Sequence, residues 1–108
     1  MSGRSIEMSA MQSAIVDAQT SKTLIVVRHD IQLLTEMRRR KYVDLIEDAE
    51  LWTVLQLQQI DASSIVKGSS SDSLYPQTLE AVNAYRKQFP DTTVNPEKNP
   101  KIAKAFAR

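Results

Sequence analysis

His29 and Asp30 stand side by side, the two residue types that a general base and its orienting carboxylate would use, and His29 is the chain's single histidine. Neighbours on a helix point about 100° apart, so the two side chains diverge and His29 reads as a surface or boundary residue. Asp44 and Asp48 are four apart, which puts both carboxylates on one helix face. Nothing around them in sequence signals the burial that would split their protonation, so they read as a solvated acidic face. Ser69, Ser70 and Ser71 follow Gly68, yet neither the phosphate-cradling Gly-x-x-x-x-Gly-Lys-Ser/Thr loop nor the Gly-x-Ser-x-Gly elbow is present. With no cysteine and one histidine, a metal would need several carboxylates, and Asp44, Glu47, Asp48 and Glu50 are explained by the preference of a helix N-terminus for negative charge. The expectation is a non-enzyme with no catalytic residue, no cofactor and no metal.

Two segments could make contacts with other molecules. Arg38, Arg39, Arg40 and Lys41 form a basic run beside Tyr42, a composition able to hold phosphates and stack a base. The same run serves equally as the cationic end of a helix, partly neutralised by the acidic residues after it. At the C-terminus, Lys101, Ile102, Lys104, Phe106 and Arg108 resemble a docking peptide in pattern, with Ile102 and Phe106 four apart as apolar anchors and the cations set for an acidic rim. A helix-turn-helix reading of Leu51 to Gln88, with Thr78 to Lys87 as recognition helix, fails on a connector much longer than the three or four residues of such motifs.

The elements that carry these residues are helical by pattern. Arg4 to Lys67 contains neither glycine nor proline, and apolar residues recur at intervals of three and four: Met8, Met11, Ile15 and Ala18, then Leu24, Val27, Ile31 and Leu34. Thr20, Ser21 and Thr23 leave open whether residues 5 to 41 are one helix or two, and the β-branched Leu24 to Val27 leaves a short strand open. A helix is expected to end near Lys41 and another to begin near Asp44, with Asp44 and Glu47 spaced as a capping box. Leu45 to Ile60 is apolar on most sides, which predicts that it is enclosed as the centre of the core with Trp52 inside it.

Asp61 to Ser64 and Gly68 to Ser73 read as a flexible connector. Pro76 and Pro90 bracket a last helix over about residues 76 to 89, and Asp91 to Pro100 reads as extended. The expected fold is therefore all-α: a helical hairpin or small bundle from about residue 5 to 66, a further helix, and a flexible tail. In domain terms this is one helical domain over residues 1–90 and a tail over 91–108 with a short docking helix.

The bulk composition agrees with a folded chain of modest core. It has 108 residues, 42% hydrophobic and 25% charged, and 14 Lys and Arg against 13 Asp and Glu give a net charge of +1. No general field draws nucleic acid or acidic lipid. The longest purely apolar run, Leu24 to Val27, is far below the roughly 20 residues of a membrane-crossing helix, and no secretory leader follows Met1, so a cytoplasmic protein is expected. The functional expectation is an interaction module, an adaptor, chaperone or assembly subunit with a protein partner, self-associating as a dimer by default. The alternative is a small nucleic-acid-binding regulator that uses Arg38 to Lys41.

Overall fold

A computed structural model of the chain describes residues 2–108, with side chains from residue 10 onward. All but the first residues of α1 (Ser2–Arg39) and the whole of α2 (Val43–Leu57) come from the stretch free of glycine and proline. A 3-10 turn (Ala62–Ser64), α3 (Ser70–Gln88) and a C-terminal 3-10 helix (Pro100–Phe106) follow. The described residues contain no strand, and the fold is all-α.

Residues 5 to 39 lie in one helix, not two, and Arg40 and Lys41 form the turn after it. Thr23 donates its hydroxyl to the Gln19 carbonyl at 3.0 Å, a bond that satisfies the side chain within the helix instead of capping a new one. Thirty-eight residues at about 1.5 Å each match the longest dimension of the molecule, 59 Å against 22 and 20 Å for the others. Because Ser71, in the first turn of α3, lies beside Asp17, the turns of α1 before Asp17 project past the start of α3. Met11, Ile15 and Val16 are exposed there; the side chain of Met8, assigned to the same stripe, lies outside the described residues.

α1 ends in a Schellman motif. The Tyr42 N–H donates to the Met37 carbonyl (3.0 Å) and the Lys41 N–H to the Arg38 carbonyl (3.2 Å), which requires left-handed backbone at Lys41, φ 62°. This sharp stop starts α2 at Val43, so Tyr42 occupies the N-cap position and no side chain caps the helix. The expected Asp44–Glu47 capping box does not form. Asp44 still contributes a negative charge to the first turn, where the helix dipole favours it.

Gly68 to Ser73 forms the start of α3 and not a connector. Gly68 takes φ 86°, Ser69 Oγ accepts from the Asp72 N–H (3.3 Å), and the Asp72 carboxylate accepts from the Gly68 N–H (2.8 Å). α3 therefore begins six residues before Pro76, which sits inside the helix.

The core is built on one stripe of α1, Leu24, Val27, Ile31 and Leu34, each worth about 1.5–3 kcal/mol when fully buried. α2 adds Ile46, Val54 and Leu57 to it, and α3 adds Tyr75, Val82 and Tyr85. α2 is thus half-covered, contrary to its expected central place, and Trp52 is 66% exposed.

The segment after Pro90 is packed, which corrects its reading as a free tail. Val94, Ile102 and Ala105 belong to the core, and Thr92 is also buried. The Tyr75 hydroxyl donates to the Ala105 carbonyl at 2.7 Å, Arg86 donates to Asn95 Oδ1 at 3.2 Å, and Arg108 pairs with Asp72. Pro96 and Pro100 exclude long regular structure, but they do not prevent an irregular chain from placing apolar side chains inward.

Candidate protein-interaction surface

The basic run at the end of α1 is divided by the fold. Arg38 turns inward: its Nη2 donates to both Glu50 carboxylate oxygens (3.1 and 3.3 Å), its Nε donates to the Tyr85 hydroxyl (3.0 Å), and its guanidinium lies 4.8 Å from the Phe89 ring centroid. Burial works against the Arg38 charge, and the Tyr85 and Glu50 contacts outweigh it, raising its pKa. Tyr85 donates its own proton to Glu50 Oε2 at 3.0 Å, and burial above all pushes its hydroxyl up to about 12. The Thr92 hydroxyl also donates to Glu50, and the Val94 N–H donates to Thr92 Oγ1 at 3.2 Å. Arg39 and Arg40 remain exposed and share Glu36, at 3.3 and 2.9 Å. Lys41 is exposed at the turn.

The C-terminal anchors are also committed to the chain itself. Ile102 is 0% exposed, and Phe106 is half-buried with the Arg86 guanidinium 5.1 Å from its ring centroid. Arg108 is held by Asp72, which leaves Lys101 and Lys104 exposed with no free apolar anchor beside them. A docking peptide that uses Ile102 and Phe106 would have to leave the core first.

Among the described residues no three His, Asp or Glu side chains converge as metal ligands. His29 is exposed and Asp30 is half-buried, with burial raising the Asp30 pKa and the nearby His29 opposing that. Ser71 is buried, but its hydroxyl donates to Asp17 Oδ1 at 2.6 Å, and its N–H donates to the same oxygen at 3.0 Å. These bonds lower the Asp17 pKa and join α3 to α1. The contacts Asp17–Ser71, Glu50–Tyr85 and Glu50–Thr92 were not singled out by spacing, because their partners lie 35 to 54 residues apart in sequence.

What the fold leaves uncovered is apolar. Leu45, Leu51, Trp52 and Leu55 of α2 are exposed, and so is Leu33 of α1 at 63%. Leu33 and Trp52 face each other across a groove of about 220 Å³ between α1 and α2, floored by Leu34, Met37 and Ala49, with Asp30 at its edge. On α2, Asp48, Leu51, Trp52 and Leu55 are three or four apart and form one continuous surface. Single exposed apolar residues are ordinary, but a contiguous group with a tryptophan at its centre is the composition of a contact surface.

Comparison with known proteins finds no matching family model, no matching curated protein and no matching solved structure. None of the described helices is long and apolar enough to cross a membrane.

Proposed function

We propose that this protein is a non-enzymatic interaction module, of the adaptor, chaperone or assembly-subunit kind, whose α1–α2 face binds other polypeptides. The observation that carries the reading is the exposed apolar surface of Leu33, Leu45, Trp52 and Leu55 around the α1–α2 groove, on a chain whose core is already closed elsewhere. Tryptophan and leucine in such a setting cost solubility when free and stabilise a complex when covered. The alternative, a nucleic-acid contact through Arg38 to Lys41, has less support: Arg38 is engaged with Glu50, and Arg39 and Arg40 share Glu36.

The experiment is capture of tagged wild-type protein and its Trp52→Glu variant from native lysate, each with and without nuclease. Proteins retained by the wild type after nuclease and lost by the variant support the reading. Retention unchanged in the variant removes the face from consideration. Retention that disappears with nuclease transfers the function to Arg39, Arg40 and Lys41.

A further inference from the structure

We infer that the occupant of the α1–α2 face is a second copy of this chain, docked with its α2 antiparallel to the first across a two-fold axis at Trp52. The inference rests on the reading of that face as protein-binding, and it adds what binds and in which direction.

The first argument is charge. Between Val43 and Leu57, α2 has no Lys or Arg, and its exposed carboxylates Asp44, Glu47 and Asp48 all lie in its first half. The second half and its extension carry the neutral amides Gln56, Gln58 and Gln59. A parallel second copy would set carboxylates against carboxylates, an arrangement that like charges disfavour. An antiparallel copy sets the acidic half against the amide half, where each Gln can donate to a carboxylate, and it opposes the two helix dipoles.

The second argument is register. Leu45, Asp48, Trp52, Gln56 and Gln59 follow at intervals of three, four, four and three, so they form one stripe that is symmetric about Trp52. Antiparallel docking centred there brings Asp48 opposite Gln56 of the second copy, Ala49 opposite Leu55, and the two Trp52 rings together at the axis. The same surface then serves both copies, as an isologous interface requires.

The third argument is area. The exposed parts of Leu33, Leu45, Trp52 and Leu55 amount to roughly 450 Å² of apolar surface, above half of the about 800 Å² that each partner contributes to a standard interface. Asp48, Gln56 and Gln59 supply a polar rim. Leu33 and the groove beside it extend the contact to α1.

The chain has no cysteine, so introduced thiols report without background. The experiment combines sedimentation equilibrium with oxidative cross-linking of Asp48→Cys and Gln56→Cys, alone and mixed, with circular dichroism to confirm that each variant is folded. The expected result is twice the chain mass of 12.2 kDa, efficient cross-linking only in the mixture, and association weakened by no less than about 30-fold for Trp52→Glu. Cross-linking of each variant to itself overturns the antiparallel arrangement. A dimer unaffected by Trp52→Glu overturns the choice of face. A wild-type monomer overturns the second copy as occupant; if Trp52→Glu nevertheless loses proteins retained from lysate, the protein-binding face itself stands and another polypeptide covers it.

Discussion

Arg38, in the last turn of α1, and Glu50, at the midpoint of α2, close the helical hairpin by two hydrogen bonds of 3.1 and 3.3 Å from one guanidinium nitrogen to the two carboxylate oxygens. Glu50 is buried, and it also accepts from Tyr85 of α3 and from Thr92 after Pro90. One carboxylate therefore ties together all three helices and the C-terminal segment. Its buried charge is tolerable because every donor around it is aimed at it.

Removing Glu50 should be costly because it leaves Arg38 and two hydroxyls without their shared acceptor. Glu50→Ala is expected to lose about 3–5 kcal/mol, and Arg38→Met together with Glu50→Met to lose clearly less than the sum of the two single changes. Urea unfolding of wild type, Arg38→Met, Glu50→Met and the double variant in a double-mutant cycle, with Glu50→Ala beside them, measures this. Additive single changes would mean that the pair does not act as a unit.

The C-terminal segment should behave as part of the core. Ile102→Ala, at a fully buried position, is expected to cost about 2–5 kcal/mol of stability. Lys101→Ala and Lys104→Ala, at exposed positions, should stay within about 0.5 kcal/mol of wild type. Thermal or chemical unfolding decides it, and an Ile102→Ala protein of wild-type stability would return the segment to the role of a free tail.

Two positions with left-handed backbone should respond in opposite directions. Lys41 has φ 62° in the turn after α1, where glycine lacks the steric penalty of a side chain, so Lys41→Gly is expected to stabilise by about 1 kcal/mol. Gly68 has φ 86° with no atom within 4 Å of where a Cβ would sit, so Gly68→Ala should destabilise by about 1 kcal/mol through backbone strain alone. Comparison of denaturation midpoints tests both signs.

The Asp17–Ser71 contact makes a pH-dependent link between α1 and α3. Hydrogen bonds from the Ser71 hydroxyl and N–H hold the Asp17 carboxyl below the ordinary 3.8. A depressed folded-state pKa gives stability that is present above the unfolded value and lost as pH falls through the folded value. Ser71→Ala should raise the Asp17 pKa toward 3.8, as read by NMR titration of the carboxyl carbon. The stability difference between wild type and variant should shrink as pH falls from the ordinary 3.8 through the wild-type Asp17 value. A difference constant across that range would show that the Ser71 hydroxyl acts through packing only.

The helices were legible in the sequence because helix formation is a local matter. Sixty-four residues without glycine or proline, and apolar residues at intervals of three and four from Leu24 to Leu34, determine α1 and its buried stripe. The stop near Lys41 was likewise marked by the cations from Arg38 onward, although its left-handed Lys41 was not, since a residue other than glycine gives no signal of positive φ. Ser69 and Asp72 looked like connector residues because the same side chains that favour loops also cap helices.

What covers what was decided only by the tertiary structure. Leu45 to Ile60 has apolar residues on most sides, and periodicity cannot choose which of them faces α1. In the fold Ile46, Val54 and Leu57 turn inward, and Trp52 is left outside. The polar segment after Pro90 could be recognised as part of the body only once α3 had presented Tyr75 and Arg86 to it, and once Glu50 had offered an acceptor to Thr92. Local sequence determines helices through backbone and neighbour interactions within a few residues. Assigning a side chain to core, network or contact surface depends on partners tens of residues away, which come together only when the chain has folded.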